Sequence, residues 1–462
     1  MVAVFKSLDE LLTNKCETAK IPGMALIVAK DGQPIFETYY GYRDMEKQLP
    51  VTRETVFGVA SITKSFATLA IMQLADQGKL SVYDPVVKWL PEFQLVDKSL
   101  SNLVTIHHLM THTSGLPGLP LVHQARAESI RQDPDGEYLF GDLPTLTDKK
   151  QLTVVDVLNL LQTYDYALLG KPGDMFNYSN ESYAFLQEII ERASGESFID
   201  YMNQYILQPL HMERATFLTE DLATMDNVTE LYAFTQDESK DVFHSPAWWD
   251  VGGIYANGSL KASIVDLINY LEVYRLDGNV HGEQIVSKQS VDQMTITQTT
   301  TPHGIHYGYG LQIHNRFGKH LVGHGGGIKG VSSHMLVCAE AGLTVAVLTN
   351  IANVDAEDLA MTAMGHALQI EEEERIPDPV FVKKDELAKY VGTYESLEGD
   401  NIKVTADETK LTLHIGHDFV NAKPLGDHLF SLKDGKTIAF VTDDIGDIRG
   451  VYYSVRFLPK IA

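Results

Sequence analysis

Hydrophobic residues are spaced in two different ways along this chain, with the change near residue 370. Before it they recur at helical intervals or in short unbroken runs; after it they alternate in brief segments cut by Gly, Asp and Lys. Val4, Leu8, Leu11 and Leu12 predict a short amphipathic first helix with these residues inward. Met24 to Ala29 reads as a strand, Asp31-Gly32 as a turn and Pro34 to Gly41 as the returning strand, so the chain opens on a hairpin. Phe66, Leu69, Ala70 and Leu74 then mark a helix that Gln77-Gly78 stops. A short helical piece is expected from Thr105 to Met110, and amphipathic helices over Thr153–Thr163 and Ser182–Ala193.

Residues from about Pro117 to Thr153, rich in Pro, Gly and Asp, read as a long excursion of the kind that is functional or mobile. Ile264 to Leu276 is a helix with Ile264, Leu267, Ile268 and Leu271 on one face. Tyr307–Ile313, Ser332–Ala339 and Leu343–Thr349 are strand-like, and Ala356–Ile370 is a closing helix. The acidic run at Glu371–Glu374 and the prolines of Pro377-Asp378-Pro379 mark a linker. Beyond it, Tyr390–Glu395, Ile402–Thr405, Lys410–Ile415, Ile438–Val441 and Gly450–Phe457 read as strands of a small barrel. The order predicts an α/β fold of the α+β type: an antiparallel sheet flanked by helices with a helical subdomain, followed by a small C-terminal antiparallel β-barrel. The expected units are residues 1–375, a linker at 376–384 and the barrel at 385–462.

Composition narrows the partners. The chain has 462 residues and a formal charge of −25, which disfavours nucleic acid and anionic membranes, since phosphate binding needs clustered Lys and Arg. Two cysteines, Cys16 and Cys338, give neither a disulfide framework nor metal-ligand spacing. The first fifteen residues lack the apolar stretch of a secretory signal, and no apolar run is long enough to span a bilayer. The expectation is a cytoplasmic protein with no cofactor and no metal; a homo-oligomer is left open.

Three stretches carry chemistry. In Phe57-Gly58-Val59-Ala60-Ser61-Ile62-Thr63-Lys64, a serine and a lysine three apart open a helix and share one face. Ser61 is the only serine with Lys at that spacing, and it stands near a helix N-terminus that favours developing negative charge. On this stretch alone, Ser61 reads equally well as an N-cap and Lys64 as a surface residue. Tyr178-Ser179-Asn180 follows Pro172-Gly173 and precedes a helix, presenting a phenol and an amide from a loop. A second Tyr-x-Asn, at Tyr201-Met202-Asn203, lies within a helical pattern with Phe198 and Ile206 and reads as structural. Gly323-His324-Gly325-Gly326-Gly327 is a strand stripped of side chains, able to offer an N–H to a substrate oxygen.

Together these boxes resemble the three motifs of the serine penicillin-recognising enzymes: Ser-x-x-Lys, Tyr-x-Asn, and Lys-Thr-Gly or His-x-Gly. They are most similar to the branch holding class C β-lactamases, D-Ala-D-Ala carboxypeptidases, D-aminopeptidases and family VIII esterases. Leu109-Met110-Thr111-His112-Thr113-Ser114-Gly115-Leu116 and Gly342–Asn350 resemble further stretches of that branch, so the likeness spans roughly residues 5–370. The C-terminal unit resembles the lipocalin-like barrels appended to some members. The resemblance implies Ser61 as nucleophile, Lys64 and Tyr178 as its proton relay, and Asn180 as a ligand of substrate amides. It implies the N–H groups of Ser61 and Gly327 as oxyanion hole, with Gly326 beside them, and His324 at the position of the third-box Lys. A lysine or tyrosine starts from a pKa near ~10, so the site must supply ~4 kcal/mol to make either a base at neutral pH. Either Lys64 is desolvated and neutral, or it stays cationic and depresses Tyr178.

His324-Gly325-Gly326 offers no permanent cation and no hydroxyl for a penicillin-type carboxylate, which leaves β-lactam hydrolysis as at most a side activity. The resemblance then implies a serine hydrolase acting on a small peptide or ester: a peptidase, in particular an exopeptidase tolerant of D-residues. The alternatives are a carboxylesterase or a catalytically silent binding protein. A lipase-type hydrolase needs Gly-x-Ser-x-Gly, which is absent, and His107, His108 and His112 lack a neighbouring carboxylate for a metal site. Trp248-Trp249 and the Pro117–Thr153 excursion are expected to wall the pocket.

Overall fold

The computed structural model describes residues 2–141, 143, 145–370, 379–416, 418–432 and 436–461, with side chains from residue 5 onward. The first unit is built on a nine-stranded antiparallel sheet. Its order runs Thr299–Thr300, His306–Tyr307, Gln312–Arg316, Lys319–Ile328, Val331–Cys338, Leu343–Thr349, Gly23–Lys30, Gln33–Asp44 and Leu49–Pro50. The first long strand thus lies between the opening hairpin partner and the last strand of the unit, pairing Met24 with Thr349 and Lys30 with Leu343.

Successive side chains of a strand point to opposite faces, and both faces are covered. Ala25, Ile27 and Ala29 enter the core beneath helices Thr63–Asp76, Asn180–Ser194 and Ile264–Arg275. Met24, Leu26 and Val28 enter a second core beneath Val2–Thr18 and Ala356–Leu368. That double burial explains the unbroken apolar run at Met24–Ala29 and the lack of polar alternation over Leu343–Leu348, where the one polar residue, Thr344, is itself buried. In the first helix Leu8 and Leu12 are fully buried, whereas Leu11 is 37% exposed. Leu11 sits about 60° round the helix from Leu8, away from Leu12, at the rim of the stripe; the Val4 side chain lies outside the described residues.

Three expectations are corrected. Tyr307–Ile313 is not one strand: Gly308–Leu311 breaks it, with Gly310 at φ +68. There the loop closes on the Ser61 helix, Thr68 Oγ1 donating to the Tyr309 carbonyl at 3.0 Å. The 117–153 stretch is partly core: Leu119, Leu121, Val122, Ala125 and Ile130 are buried, and helices form over Ala127–Gln132 and Gly136–Phe140. Gly450–Phe457 is two strands, Ile448–Tyr453 and Arg456–Pro459, reversing at Ser454 with φ +52.

The C-terminal sheet has eight strands among the described residues, each paired to the next, and an isolated bridge between Tyr394 and Lys460 brings its ends together as a nearly closed barrel. The strands missed by the hydrophobic pattern, Asp418–Gly426 and Leu429–Ser431, are polar or short; in the first only Ala422 and Pro424 are buried. The expected linker at 376–384 lies outside the described residues up to 378; Lys384–Leu387 is already a short helix. The barrel interior is filled, with Tyr390 packed edge-on against Phe430 at 5.0 Å and tilted against Phe440 at 4.7 Å. A separate apolar cluster joins the two units: Leu169, Phe176, Tyr178 and Tyr307 with Tyr452 and Phe457 of the barrel. Among the described residues no helix is long and apolar enough to cross a membrane.

Candidate active site

The segment before Ser61 is held from two sides. Phe57–Gly58 pairs with Lys261–Ala262, and Val59 N–H donates to Leu260 O at 3.0 Å. Ala60 then adopts φ +47, a conformation that costs an L-residue roughly 1–3 kcal/mol and that persists only where its surroundings enforce it. Ser61 falls in the turn Ala60–Ile62 that leads into helix Thr63–Asp76, and its side chain is partly exposed. The helix itself is buried on every side from Thr63 to Leu74, beyond the single apolar stripe its pattern suggested.

Lys64 has no exposed surface. Its Nζ lies 3.2 Å from Ser61 Oγ, 2.9 Å from Asn180 Oδ1 and 2.6 Å from the carbonyl oxygen of Asn257. Burial, then the cations Arg456 and Arg126, hold its pKa well below the ordinary lysine value, against the carboxyls of Glu398 and Glu181. Tyr178 is held the other way: burial raises its phenol, while the hydrogen bond with Ser61 and the charge of Arg456 act to lower it. The Lys64 amine stands 4.8 Å from the centroid of the Tyr178 ring.

The Tyr178 loop owes its position to the stretch Thr111–Leu116. Asn177 N–H donates to His112 O at 2.8 Å, Asn177 Nδ2 to Leu116 O at 3.0 Å, and Ser179 N–H to His112 Nδ1 at 3.0 Å. The buried His112 ring lies under Tyr178 with centroids 4.2 Å apart. Ser179, rather than Asn180, caps the following helix, which leaves the Asn180 amide to Lys64. Tyr201 is a buried core residue, fully apart from this chemistry.

Strand Lys319–Ile328 completes the cluster. A Cβ at Gly326 would stand 2.2 Å from the Val59 carbonyl and 2.5 Å from Ser333 Oγ, so only glycine lets the strand reach the segment that leads into Ser61. A Cβ at Gly327 would meet nothing within 4 Å. His324 is buried, its Nδ1 2.5 Å from Gly325 O and its Nε2 3.0 Å from the Tyr307 hydroxyl. A carbonyl can only accept, so Nδ1 carries the proton and Tyr307 donates to Nε2. Burial holds this imidazole down to about 3, so it presents no cation at neutral pH.

Ser61, Lys64, Tyr178, Asn180, His324, Gly326 and Gly327 are thus gathered in one place from three distant stretches. A family model for β-lactamase matches residues 8–368. The chain belongs to the β-lactamase family. Protein flp of Staphylococcus aureus (strain NCTC 8325 / PS 47) is 26% identical to it over 353 residues, 75% of this chain and 63% of that protein. The chain therefore spans under two thirds of that relative's length. Penicillin-binding protein 4* of Bacillus subtilis (strain 168) is 25% identical over 425 residues, 89% of this chain and 87% of that one. Among solved structures, an octameric penicillin-binding protein homologue from Pyrococcus abyssi superposes with a TM-score of 0.71 at 29% identity, covering 98% of this chain and 99% of that one.

Several residues of this β-lactamase-family site carry no signal in the motifs. Asn257 contributes only a backbone carbonyl, and Arg456 and Glu398 come from the barrel. Trp248 packs against Gly58, where a Cβ would lie 3.2 Å from its ring, and Trp249 Nε1 donates to Asp133 at 2.8 Å. A cleft of about 1580 Å³ lined by His303, His314, Asp355 and Lys436 lies elsewhere and contains none of the motif residues. Among the described residues no three His, Cys, Asp or Glu side chains gather as a metal-ligand set.

The adjacent glycines separate close approach from open space. Gly326→Ala is expected to cost at least about 2 kcal/mol in urea unfolding, and Gly327→Ala no more than about 0.5 kcal/mol. Equal losses at the two positions would remove the argument for contact with Val59.

Proposed function

We propose that this protein is a serine hydrolase that forms an acyl-enzyme on Ser61, and that it acts as a peptidase on short peptides or chain ends. The observation carrying the proposal is the buried amine 3.2 Å from the Ser61 hydroxyl. A neutral amine has two N–H groups and one lone pair. The two N–H groups are matched by Asn180 Oδ1 and Asn257 O, which leaves the lone pair for the Ser61 O–H. Burial favours this neutral form, and it favours a protonated Tyr178.

The reaction follows from those two protonation states. Ser61 Oγ attacks the substrate carbonyl carbon while its proton passes to Lys64 Nζ, and the oxyanion lies against the N–H groups of Ser61 and Gly327. Tyr178 then gives its proton to the leaving nitrogen or oxygen, and its phenolate takes one back from the Lys64 ammonium beside it, since the acylated Ser61 oxygen has no proton to pass on. In the second half a water takes the leaving group's place and loses its proton to the same relay.

Substrate class rests on the third motif. A neutral His324 engaged by Tyr307 supplies no charge to a β-lactam carboxylate, which disfavours penicillins. The barrel hairpin packed on the Tyr178 loop closes one side of the site, which favours a substrate end over a through-running chain. An esterase uses the same relay and remains the second reading, since the partly exposed Ser61 sets no demand on the leaving group.

A panel of L- and D-aminoacyl p-nitroanilides, p-nitrophenyl esters and nitrocefin is expected to give turnover of anilides, with D-residues accepted and nitrocefin slowest. Ser61→Ala is expected to lose at least about 10³-fold and to lose labelling by a serine-directed phosphonate; an unlabelled Ser61 and unchanged turnover would refute the proposal. Activity should fall as pH drops through the depressed Lys64 pKa, because protonation removes the base; Lys64→Met should abolish that limb, and a limb that survives belongs to another group. Likeness to an octameric homologue extends the proposal to self-association, which light scattering tests: a monomer mass removes it.

A further inference from the structure

The barrel brings two charged side chains to the Tyr178 loop, and the motifs account for neither. Arg456, first residue of the last strand, donates through a guanidinium N–H to the carbonyl oxygen of Tyr178, and its Cζ lies 5.2 Å from the centroid of the Tyr178 ring. The same guanidinium pairs with Glu398 at 2.7 Å. Glu398 lies on the loop between strands Gly392–Glu395 and Asn401–Ala406, and its side chain, only 4% exposed, reaches into the helical part of the first unit. It stands 3.8 Å from His123, and a Cβ at Gly118 would lie 2.5 Å from its carboxylate. Backbone contacts run parallel to these: Tyr178 N–H donates to Val455 O at 3.1 Å, and Phe457 N–H to Asn177 Oδ1 at 2.9 Å.

We propose that Arg456 is a positioning residue lent by the C-terminal barrel, clamping Tyr178 against Ser61 and Lys64 and setting the charge around that amine. The inference rests on the acyl-enzyme reading above and adds the barrel to the site. A planar guanidinium suits the task because it can cap a carbonyl, meet a carboxylate and lie on an aromatic face at once, where an ammonium offers a single point charge. The filled barrel interior leaves its end, and not its lumen, as the working surface.

The groups that face Lys64 come from every neighbouring element. Arg456 and Glu398 come from the barrel, Arg126 from the turn Val122–Arg126, Glu181 from helix Asn180–Ser194, His112 from the loop beneath Tyr178, and His324 from the glycine strand. Removing the Arg456 charge leaves Glu398 facing the amine and must raise the Lys64 pKa. Removing the Glu398 charge must lower it. The second shift is the smaller: Glu181, kept protonated up to about 8 by burial and by Glu398, ionises more readily once Glu398 is neutral.

The test uses Arg456→Met, Arg456→Lys and Glu398→Gln in the full chain. The Lys64 titration is followed by NMR of ¹³C-labelled lysine, assigned by its loss in Lys64→Met, beside pH profiles of kcat/KM. Arg456→Met is expected to raise the Lys64 titration by about half a unit to one unit and to lower kcat about tenfold, with KM moving less than about threefold. Arg456→Lys should hold the titration near that of the unmodified chain and recover part of kcat, and Glu398→Gln should move the titration down. An unchanged Lys64 titration in a folded Arg456→Met overturns the proposal even if kcat falls, since a merely structural residue would behave so. A rise in KM confined to carboxylate-bearing substrates, with kcat and titration unchanged, also overturns it and makes Arg456 a substrate ligand. If Arg456→Met does not fold, Glu398→Gln decides, and no downward shift is the refuting result. Failure of Ser61 to acylate in the unmodified chain refutes the hydrolase reading alone, because the lysine titration is read without turnover.

Discussion

An amine with no contact to water beside a serine hydroxyl is the constraint on which this structure turns. Desolvation disfavours the charged form of Lys64, and the neutral form is useful only while two acceptors and one hydroxyl saturate it. Asn180 Oδ1, Asn257 O and Ser61 Oγ do so, at 2.9, 2.6 and 3.2 Å. Each comes from a different stretch, so the protonation state of one side chain depends on the packing of three. The surrounding stability is what allows it. The helix carrying Lys64 is buried along its whole face and the sheet behind it is covered on both sides, a frame rigid enough to tolerate a buried amine and a strained Ala60.

The glycine strand plays against that frame. Its backbone comes up against the Val59 carbonyl two residues before Ser61, and a side chain at Gly326 would push the two apart. His324, one turn of the pleat earlier, points into the core and is bound by Tyr307, so the third motif contributes backbone where a lysine-bearing relative would contribute charge. The electrostatics of the pocket are therefore set elsewhere, by the cations and carboxyls grouped around Lys64.

What was legible in the sequence was what is local. Ser61 and Lys64 announce themselves by a spacing of three, Tyr178 and Asn180 by a loop before a helix, and the sheet by runs whose two-sided burial leaves no polar alternation. The fold class followed from the order of those elements. The misreadings also have local causes. Tyr307–Ile313 looks continuous because Gly310 is a single residue in an apolar run, yet its positive φ turns the chain onto Thr68. Gly450–Phe457 looks continuous because the reversal at Ser454 uses no Gly, Pro or Asn. Asn257 was invisible in principle, since the group it contributes is a carbonyl that every residue has.

Arg456 and Glu398 were invisible for a different reason, and it bears on how such sites are delimited. The match to the β-lactamase family ends at residue 368, whereas the guanidinium that touches Tyr178 stands 278 residues beyond that tyrosine. A boundary drawn from recurring sequence marks where the shared frame ends. It does not mark where the electric field on the Lys64 amine ends, because charge acts through a few ångströms of low-dielectric packing regardless of chain order. On the proposed reading, a change confined to the barrel alters the wall and the charge at Tyr178, while the Ser61, Lys64 and Tyr178 geometry, carried by elements packed over one face of the sheet, stays in place.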